Sequence, residues 1–281
     1  MENYPGFSVL MSVYYKENPN FFDQALSSVW LEQTVCPSQI VLVKDGTLTE
    51  DLEKVIKKYI EICGSALDIV SLQKNSGLAY ALSQGLEYCK YDYIARMDTD
   101  DISTPERFEK QLTFLCKNKD IDVVGTYLAE IDENGNIIKG QVKYPLEHKE
   151  LKEFFSKRDP LAHPTVFFKK SFFIKAGSYT DEVPLGEDTV LWYRGFINNC
   201  HFANIPHVGL LFRRANSFYK RRSNWKKSIS LLKFRLLTIN RELGYNIKAD
   251  VYAISYFLIS ISPNFIKKLA YHTHQIGRAH V

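Results

Sequence analysis

The sequence predicts an α/β protein built on a doubly wound, mostly parallel sheet, and three observations carry that prediction. Up to residue 97, short apolar runs alternate with segments whose apolar residues recur at helical spacing. Each apolar run ends in a polar loop, so the loops gather along the carboxyl edge of the sheet, where such sheets take their ligands. After residue 120 the alternation gives way to hairpin-like β segments and then to basic helical stretches. An antiparallel half and C-terminal amphipathic helices are therefore expected to follow the parallel one.

The elements follow in order. Residues 7–13 form a buried strand, and Tyr14, Tyr15, Lys16, Glu17 and Asn18 form the loop after it. Phe22, Ala25, Leu26, Val29 and Trp30 mark one face of a helix that packs back on the sheet. Residues 39–43 are a second strand ending at Lys44-Asp45-Gly46, and Leu52, Val55, Ile56, Tyr59 and Ile60 mark the second helix. Residues 68–72 are a third strand, followed by Lys74-Asn75-Ser76-Gly77 and a helix carrying Leu78, Ala81, Leu82 and Leu86. Asp45 is placed to accept hydrogen bonds from a base or ribose. Asn75 and Gly77 are placed to bring backbone N–H groups and a helix N-terminus toward phosphates. Each of these taken singly is an ordinary turn or cap; their series on successive strand ends is what suggests a ligand.

The fourth strand, residues 93–97, ends in Asp98-Thr99-Asp100-Asp101. Neighbouring carboxylates repel one another unless a cation or hydrogen-bond donors offset the charge. An all-oxygen ligand set suits Mg²⁺ or Mn²⁺. Asp101 or Ser103 also reads as the cap of a helix starting near Pro105, with Glu106 in its first turn. That reading accounts for one acid and leaves Asp98 and Asp100 unexplained.

A second half begins near Asp120. Residues 121–131 are strand-like, and Glu133-Asn134-Gly135-Asn136 turns into Ile137-Ile138 as a hairpin. Residues 146–156 read as a short helix, residues 163–168 as an extended run, and residues 171–176 as a helical turn closed by Gly177. Gly186-Glu187-Asp188 opens a helix whose apolar face continues through Leu191, Trp192 and Phe196. Acids at a helix start are favoured by the dipole. A second acidic site apart from the first also suits a general base for a hydroxyl nucleophile. His163 reads either as a structural, buried histidine or as part of an acceptor cleft.

Charge is divided along the chain. The net charge of +4 is the sum of −9 over residues 1–188 and +13 over residues 189–281. An anionic partner is expected for the C-terminal third. Residues 225–243 and 247–260 read as amphipathic helices in which basic residues alternate with Trp225, Leu231, Phe234 and Leu237, the pattern of an interfacial helix on anionic lipid or of a solvated basic face. Five scattered cysteines without close spacing suggest reduced thiols and no zinc site. The N-terminus lacks the pattern of a signal peptide, and no apolar run reaches the ~20 residues of a spanning helix. Residues 275–281 are expected to be a non-native read-through tail.

Taken in order, the strand and loop at 7–18, Lys44-Asp45-Gly46, Asn75-Ser76-Gly77-Leu78, Asp98-Thr99-Asp100-Asp101 and Gly186-Glu187-Asp188 with Leu191-Trp192 resemble the bacterial family 2 glycosyltransferases of the GT-A fold, closest to those that build O-antigen or capsule units. The resemblance implies a metal-dependent, inverting transfer of one hexose, galactose or glucose, from a UDP-sugar to a polyprenyl-diphosphate-linked saccharide. It implies that Tyr14, Glu17 and Asp45 meet the nucleotide, with Asn75 and Gly77 nearby. Asp98 would lie near the ribose, and Asp100, with Asp98 and Asp101, would hold Mn²⁺ or Mg²⁺. Asp188 would be the base, with Glu187 beside it. Many relatives carry an Arg-x-His element after the last β segment; here that place reads Arg213-Arg214-Ala215-Asn216, so an arginine is expected to neutralise the diphosphate. On this reading residues 1–215 are the catalytic domain, split into a nucleotide half (1–119) and an acceptor half (120–215). Residues 216–274 are a basic helical region holding a cytoplasmic protein to the inner face of the membrane. A sugar nucleotidyltransferase is the rival enzyme, but the loop at 14–18 lacks the basic, glycine-rich character it needs. A nucleic-acid-binding protein using the basic third is the non-enzymatic rival, and it leaves the acids of both halves without a role.

Overall fold

The computed structural model describes residues 4–184, 186–214 and 225–263. Nine strands form one mixed sheet in the order β3-β2-β1-β4-β8-β6-β9-β5, with β7 pairing on β6. β1 (Ser8–Val13), β2 (Gln39–Lys44), β3 (Leu67–Ser71) and β4 (Tyr93–Arg96) are parallel, as the alternating pattern predicts. Alternate side chains face opposite sides: Val9, Met11, Ile40 and Leu42 join one core, Leu10, Val41 and Val43 the other. Helices α1 (Pro19–Trp30), α2 (Glu50–Cys63) and α4 (Arg107–Lys117) cover the first face. Helices α3 (Leu78–Tyr88), α5 (His148–Phe155), α6 (Ser171–Ala176) and α7 (Glu187–Ile197) cover the second.

Local chemistry starts these helices. Asn18 caps α1, its side chain accepting from the N–H of Asn20 at 2.9 Å, with Pro19 in the first turn. Thr49 caps α2, and Glu50, Asp51 and Glu53 lie in its positive first turn. α3 lies close against the sheet because Gly85 has no side chain; a Cβ there would stand 2.5 Å from Leu10 Cδ1.

The second half is mixed rather than purely antiparallel. β8 (Phe167–Lys169) runs antiparallel between β4 and β6 (Val123–Ile131), welding the two halves into one sheet. β7 (Ile137–Val142) forms the expected hairpin with β6, whereas β9 (Phe202–Arg213) runs parallel to β6. The short β5 (Ile102–Ser103) closes the far edge against β9. Two local expectations are corrected. The run at 163–168 opens with a 3₁₀ turn, His163–Thr165, since Pro164 fixes a turn-compatible φ. Neither Asp101 nor Ser103 caps α4, whose cap position is Glu106; Ser103 is in β5 and Asp101 accepts a bond from β9.

C-terminal to the sheet, α8 (Trp225–Phe234) runs into a π-helical turn, Arg235–Ile239, and a last turn, Asn240–Glu242. α9 (Ile247–Ile261) follows, capped by Asn246. Among the described residues no helix is long and apolar enough to cross a membrane. Residues 216–224 and 264–274 of the expected basic helical region, and the expected tail at 275–281, lie outside the described residues. All five cysteines are free thiols. Burial pushes Cys63 and Cys200 up to about 11 and Cys89 up to about 12, which keeps them protonated and unreactive.

Candidate active site

The carboxyl ends of β1, β2, β4, β6 and β9 open on one edge of the sheet, and most of the predicted site residues stand on or next to them. Asp45 follows β2 and is buried. Its Oδ1 accepts the Ser76 N–H at 2.6 Å; its Oδ2 accepts the Gly77 N–H at 3.0 Å and Asn75 Nδ2 at 3.1 Å. Asp45 thus orders the loop that leads into α3. Gly46 makes the approach possible at φ +85°, since a Cβ there would stand 2.6 Å from the Asn75 backbone nitrogen. Gly77, at φ +91°, faces open space, and α3 begins with neither a side-chain cap nor an acid in its first turn. Tyr14 and Glu17 lie half-buried in the turn after β1, joined by a Glu17 N–H to Tyr14 O bond of 3.1 Å.

Beyond β4, one carboxylate oxygen from each of Asp98, Asp100 and Asp101 lies within 4.8 Å of the others. The three differ in setting. Asp98 is partly open and pairs with Arg96 Nη2 at 2.5 Å. Asp100 is half-buried. Asp101 is fully buried; its Oδ1 accepts the Arg213 N–H at 2.8 Å and its Oδ2 has no partner. Burial first, then the charges of Asp100 and Asp98, pushes the Asp101 carboxyl well above the ordinary carboxylate range. A hard cation fits this set. The donors are all oxygen, they converge, and one buried carboxylate oxygen is orphaned.

Arg213 was expected at a diphosphate. Its side chain is buried and turned onto protein acceptors instead: Nε donates to Asp100 O at 2.9 Å, Nη2 to Gln24 Oε1 at 2.6 Å, and Nη1 to the carbonyls of Asp132 and Glu133 at 3.3 Å. Its guanidinium also lies 4.1 Å from the centre of the Phe21 ring. Arg213 therefore fixes the backbone of the acidic loop. Arg214 pairs with the buried Glu130 at 2.7 Å.

Asp188 sits in the first turn of α7 and is buried, with Oδ1 accepting the Thr189 N–H at 2.7 Å. Burial, then the charges of Asp159 and Glu187, holds its carboxyl well above the ordinary range. That shift is what a base working near neutrality needs. Glu187 beside it is half-buried. His163 is a core histidine, 2.8 Å from the Tyr179 hydroxyl, and burial followed by the nearby Arg96 charge keeps it neutral.

Arg96 joins the two acidic sites, and the sequence reading passed over it. It is buried, pairs with Asp98, and its charge also acts on Asp101, Asp188 and Tyr179. Its Nε and Nη1 have no partner. The signal was a lone arginine inside an apolar strand, a costly placement unless charge lies nearby.

The family model described as "Glycosyl transferase family 2" matches residues 8–175, which span the nucleotide-side strands, the acidic cluster and β8. The chain belongs to glycosyl transferase family 2. This family 2 glycosyltransferase is 35% identical over 232 residues to the UDP-Gal:alpha-D-GlcNAc-diphosphoundecaprenol beta-1,3-galactosyltransferase of Escherichia coli, covering 82% of each chain. It is 34% identical over 275 residues to the amylovoran biosynthesis glycosyltransferase AmsE of Erwinia amylovora, covering 96% of this chain and all of that one. The crystal structure of S. aureus TarS in complex with UDP-GlcNAc superimposes with a TM-score of 0.61 at 16% identity, over 94% of this chain and 83% of that one. The architecture is the GT-A fold.

Proposed function

We propose that this glycosyltransferase moves one hexose, galactose or glucose, from a UDP-sugar to a polyprenyl-diphosphate-linked saccharide, with inversion, during assembly of a surface polysaccharide of the O-antigen or capsule type. The observation that carries the reading is the pair of acidic sites on one sheet edge, Asp98-Asp100-Asp101 and the buried Asp188, with Arg96 acting on both. The relative from E. coli, named for a UDP-galactose donor and a diphosphoundecaprenol-linked acceptor, supports the donor and acceptor classes.

In this reading Tyr14, Glu17 and Asp45 meet the nucleotide, and Asn75 and Gly77 present the start of α3 to its phosphates. Asp100, with Asp98 and Asp101, would hold Mn²⁺ or Mg²⁺, which would supply Lewis-acid stabilisation of the departing diphosphate. Asp188 takes the proton of the acceptor hydroxyl. The hydroxyl oxygen forms a bond to the anomeric carbon as the bond from that carbon to the UDP oxygen breaks, and the electron pair leaves with UDP. Burial above all keeps the Asp188 proton affinity high enough for that task.

Membrane attachment belongs to the same reading. Ile247, Val251, Ile254, Leu258 and Ile261 recur at helical spacing along α9, each between 44% and 73% exposed. Seated on the anionic inner leaflet, that stripe and the basic C-terminal third bring the cleft to its lipid-linked acceptor.

The test is a donor screen. Enzyme, Mn²⁺ or Mg²⁺, a panel of nucleotide sugars and a synthetic lipid-diphosphate-sugar acceptor are incubated, and nucleotide release is followed. The expected result is metal-dependent release with one UDP-sugar, lost in Asp100→Ala and in Asp188→Ala. Absence of UDP binding by calorimetry, even with metal, overturns the reading.

A further inference from the structure

Behind the candidate base lies a buried network that no step of the proposed reaction uses. Asp159 is fully buried in the segment between α5 and the 3₁₀ turn. Its Oδ2 accepts the Thr189 hydroxyl at 2.8 Å, and Thr189 is the residue next to Asp188 in the first turn of α7. Its Oδ1 pairs at 2.8 Å with Nη2 of Arg235, which is also buried. Arg235 comes from the C-terminal region, some distance along the chain from the sheet. Its Nη1 donates to Phe155 O at 3.1 Å, and its guanidinium lies 5.3 Å from the Phe155 ring centre.

The backbone is adapted to this contact. Arg235 is the first residue of the π-helical turn in an otherwise α-helical segment. Such turns are rare and locally unfavourable, and they persist where a side chain has to be aimed. The flanking residues pack on α7 and the segment just before it: Leu231 meets Val183 and Val190, Phe234 stacks edge-on against Tyr193 at 5.3 Å, and the Tyr193 hydroxyl donates to Glu242 at 2.5 Å. The contacts therefore converge on α7, the helix that carries Asp188.

We propose that Arg235 is a positioning residue for the acceptor base: through Asp159 and Thr189 it fixes the first turn of α7, from which Asp188 meets the acceptor hydroxyl. This inference rests on Asp188 being that base. The charged and titratable groups around Asp188 are Asp159 behind it, Glu187 beside it in α7, and Arg96 from β4, with Tyr179 also within electrostatic reach. Without Arg235 the buried Asp159 carboxylate loses the ion pair that fixes it behind Thr189, next to a base that must itself ionise. The C-terminal helices, otherwise a membrane attachment, thereby complete the catalytic half.

Three variants of the full chain test the proposal, with transfer rate, UDP affinity and melting temperature measured for each. Arg235→Met is expected to lower kcat by roughly 10- to 100-fold, the scale of an ångström-sized misplacement, with UDP affinity and donor KM unchanged. The double variant Arg235→Met/Asp159→Asn removes the carboxylate that has lost its ion pair and leaves an amide oxygen for Thr189, so it is expected to recover most of kcat. Thr189→Val breaks only the hydroxyl link and is expected to lower kcat at a near-native melting temperature. It serves, with the double variant, if Arg235→Met does not fold. A folded Arg235→Met with native kcat overturns the proposal. So does a parallel loss of kcat and UDP affinity, a double variant as slow as the single one, or native kcat in Thr189→Val. Asp188→Asn is the control for the underlying reading: full activity in that variant removes Asp188 as the base, a result separate from any of the others.

Discussion

The Arg213 N–H donates to Asp101 Oδ1 at 2.8 Å, bridging 112 positions of sequence. The end of the last strand thus holds the acidic loop from behind while the Arg213 side chain grips Asp100 O, Gln24 and the β6–β7 turn. Arg213→Met keeps the backbone bond and removes the grip. Four part-buried hydrogen bonds from a charged donor and the contact with the Phe21 ring are lost, so a loss of about 1.5–3 kcal/mol of stability is expected. Metal affinity should also weaken, since the loop's geometry is no longer fixed. Denaturant melts and Mn²⁺ titration measure the two effects; unchanged metal affinity would show that the loop holds itself.

The clustered acids let the proposed metal binding be tested without turnover. Asp98, Asp100 and Asp101 repel one another, and Asp101 Oδ2 is an orphaned acceptor. A cation that binds only the folded protein stabilises it by about 2.7 kcal/mol at 100 times its dissociation constant. Mn²⁺ added to chelator-stripped protein should raise the melting temperature before any donor is present. The rise should disappear in Asp100→Ala.

Asp188 gives a prediction with a definite sign. Its carboxyl titrates above the ordinary range because burial and the Asp159 and Glu187 charges disfavour its ionised form. The stability it contributes is present at low pH, below the ordinary carboxylate value of ~3.9, and is lost as pH rises through the raised value. Asp188→Asn carries no such loss. It should melt higher than the parent at neutral pH, with the gap closing toward acid. Transfer should fall by roughly 10²- to 10⁴-fold, the usual worth of a general base, while UDP still binds.

Gly46 tests the nucleotide side. At φ +85°, with the Asn75 backbone 2.6 Å from a new Cβ, Gly46→Ala must displace the loop that Asp45 orders. A cost of about 1–3 kcal/mol is expected from the backbone strain, together with weaker UDP binding. Calorimetry with UDP and metal checks it; native affinity would mean the 75–77 loop does not touch the nucleotide.

Much of this was legible in the sequence because the parallel half obeys local rules. Each β-α unit announces itself by periodicity, and Asp45, Asp98, Asp100 and Asp101 all follow strands that pattern alone locates. What escaped reading depends on tertiary pairing. Arg96 is a lone charge whose partner choice emerges only when α7 and the acidic loop meet around it. Asp159 and Arg235, 76 residues apart, carry no local signal at all. The parallel β6–β9 pairing joins strands separated by several other elements, so the periodicity of either strand says nothing of its partner's direction. Arg213 was assigned through the family resemblance, but its fate was set by four carbonyl and amide oxygens supplied by the acidic loop, α1 and the β6–β7 turn.

The stripe on α9 gives the last prediction. Ile247, Val251, Ile254, Leu258 and Ile261 are exposed together, and they lie in the chain's basic third. An isolated exposed leucine means little, whereas five in register on one helix form a surface that water disfavours. Burying such side chains in the acyl boundary is worth about 25 cal/mol per Å² of apolar surface, and anionic headgroups add attraction from the surrounding lysines and arginines. The double variant Ile254→Glu/Leu258→Glu places two negative charges at the centre of the stripe proposed to meet the acyl chains and the anionic headgroups. It should lose flotation with vesicles containing anionic lipid while keeping its melting temperature, because neither residue is packed in the core. Transfer to a short, water-soluble acceptor should be unaffected, and transfer to a vesicle-embedded acceptor should fall. Unchanged flotation would exclude this stripe as the membrane contact, and absence of flotation in the parent would overturn the membrane reading itself.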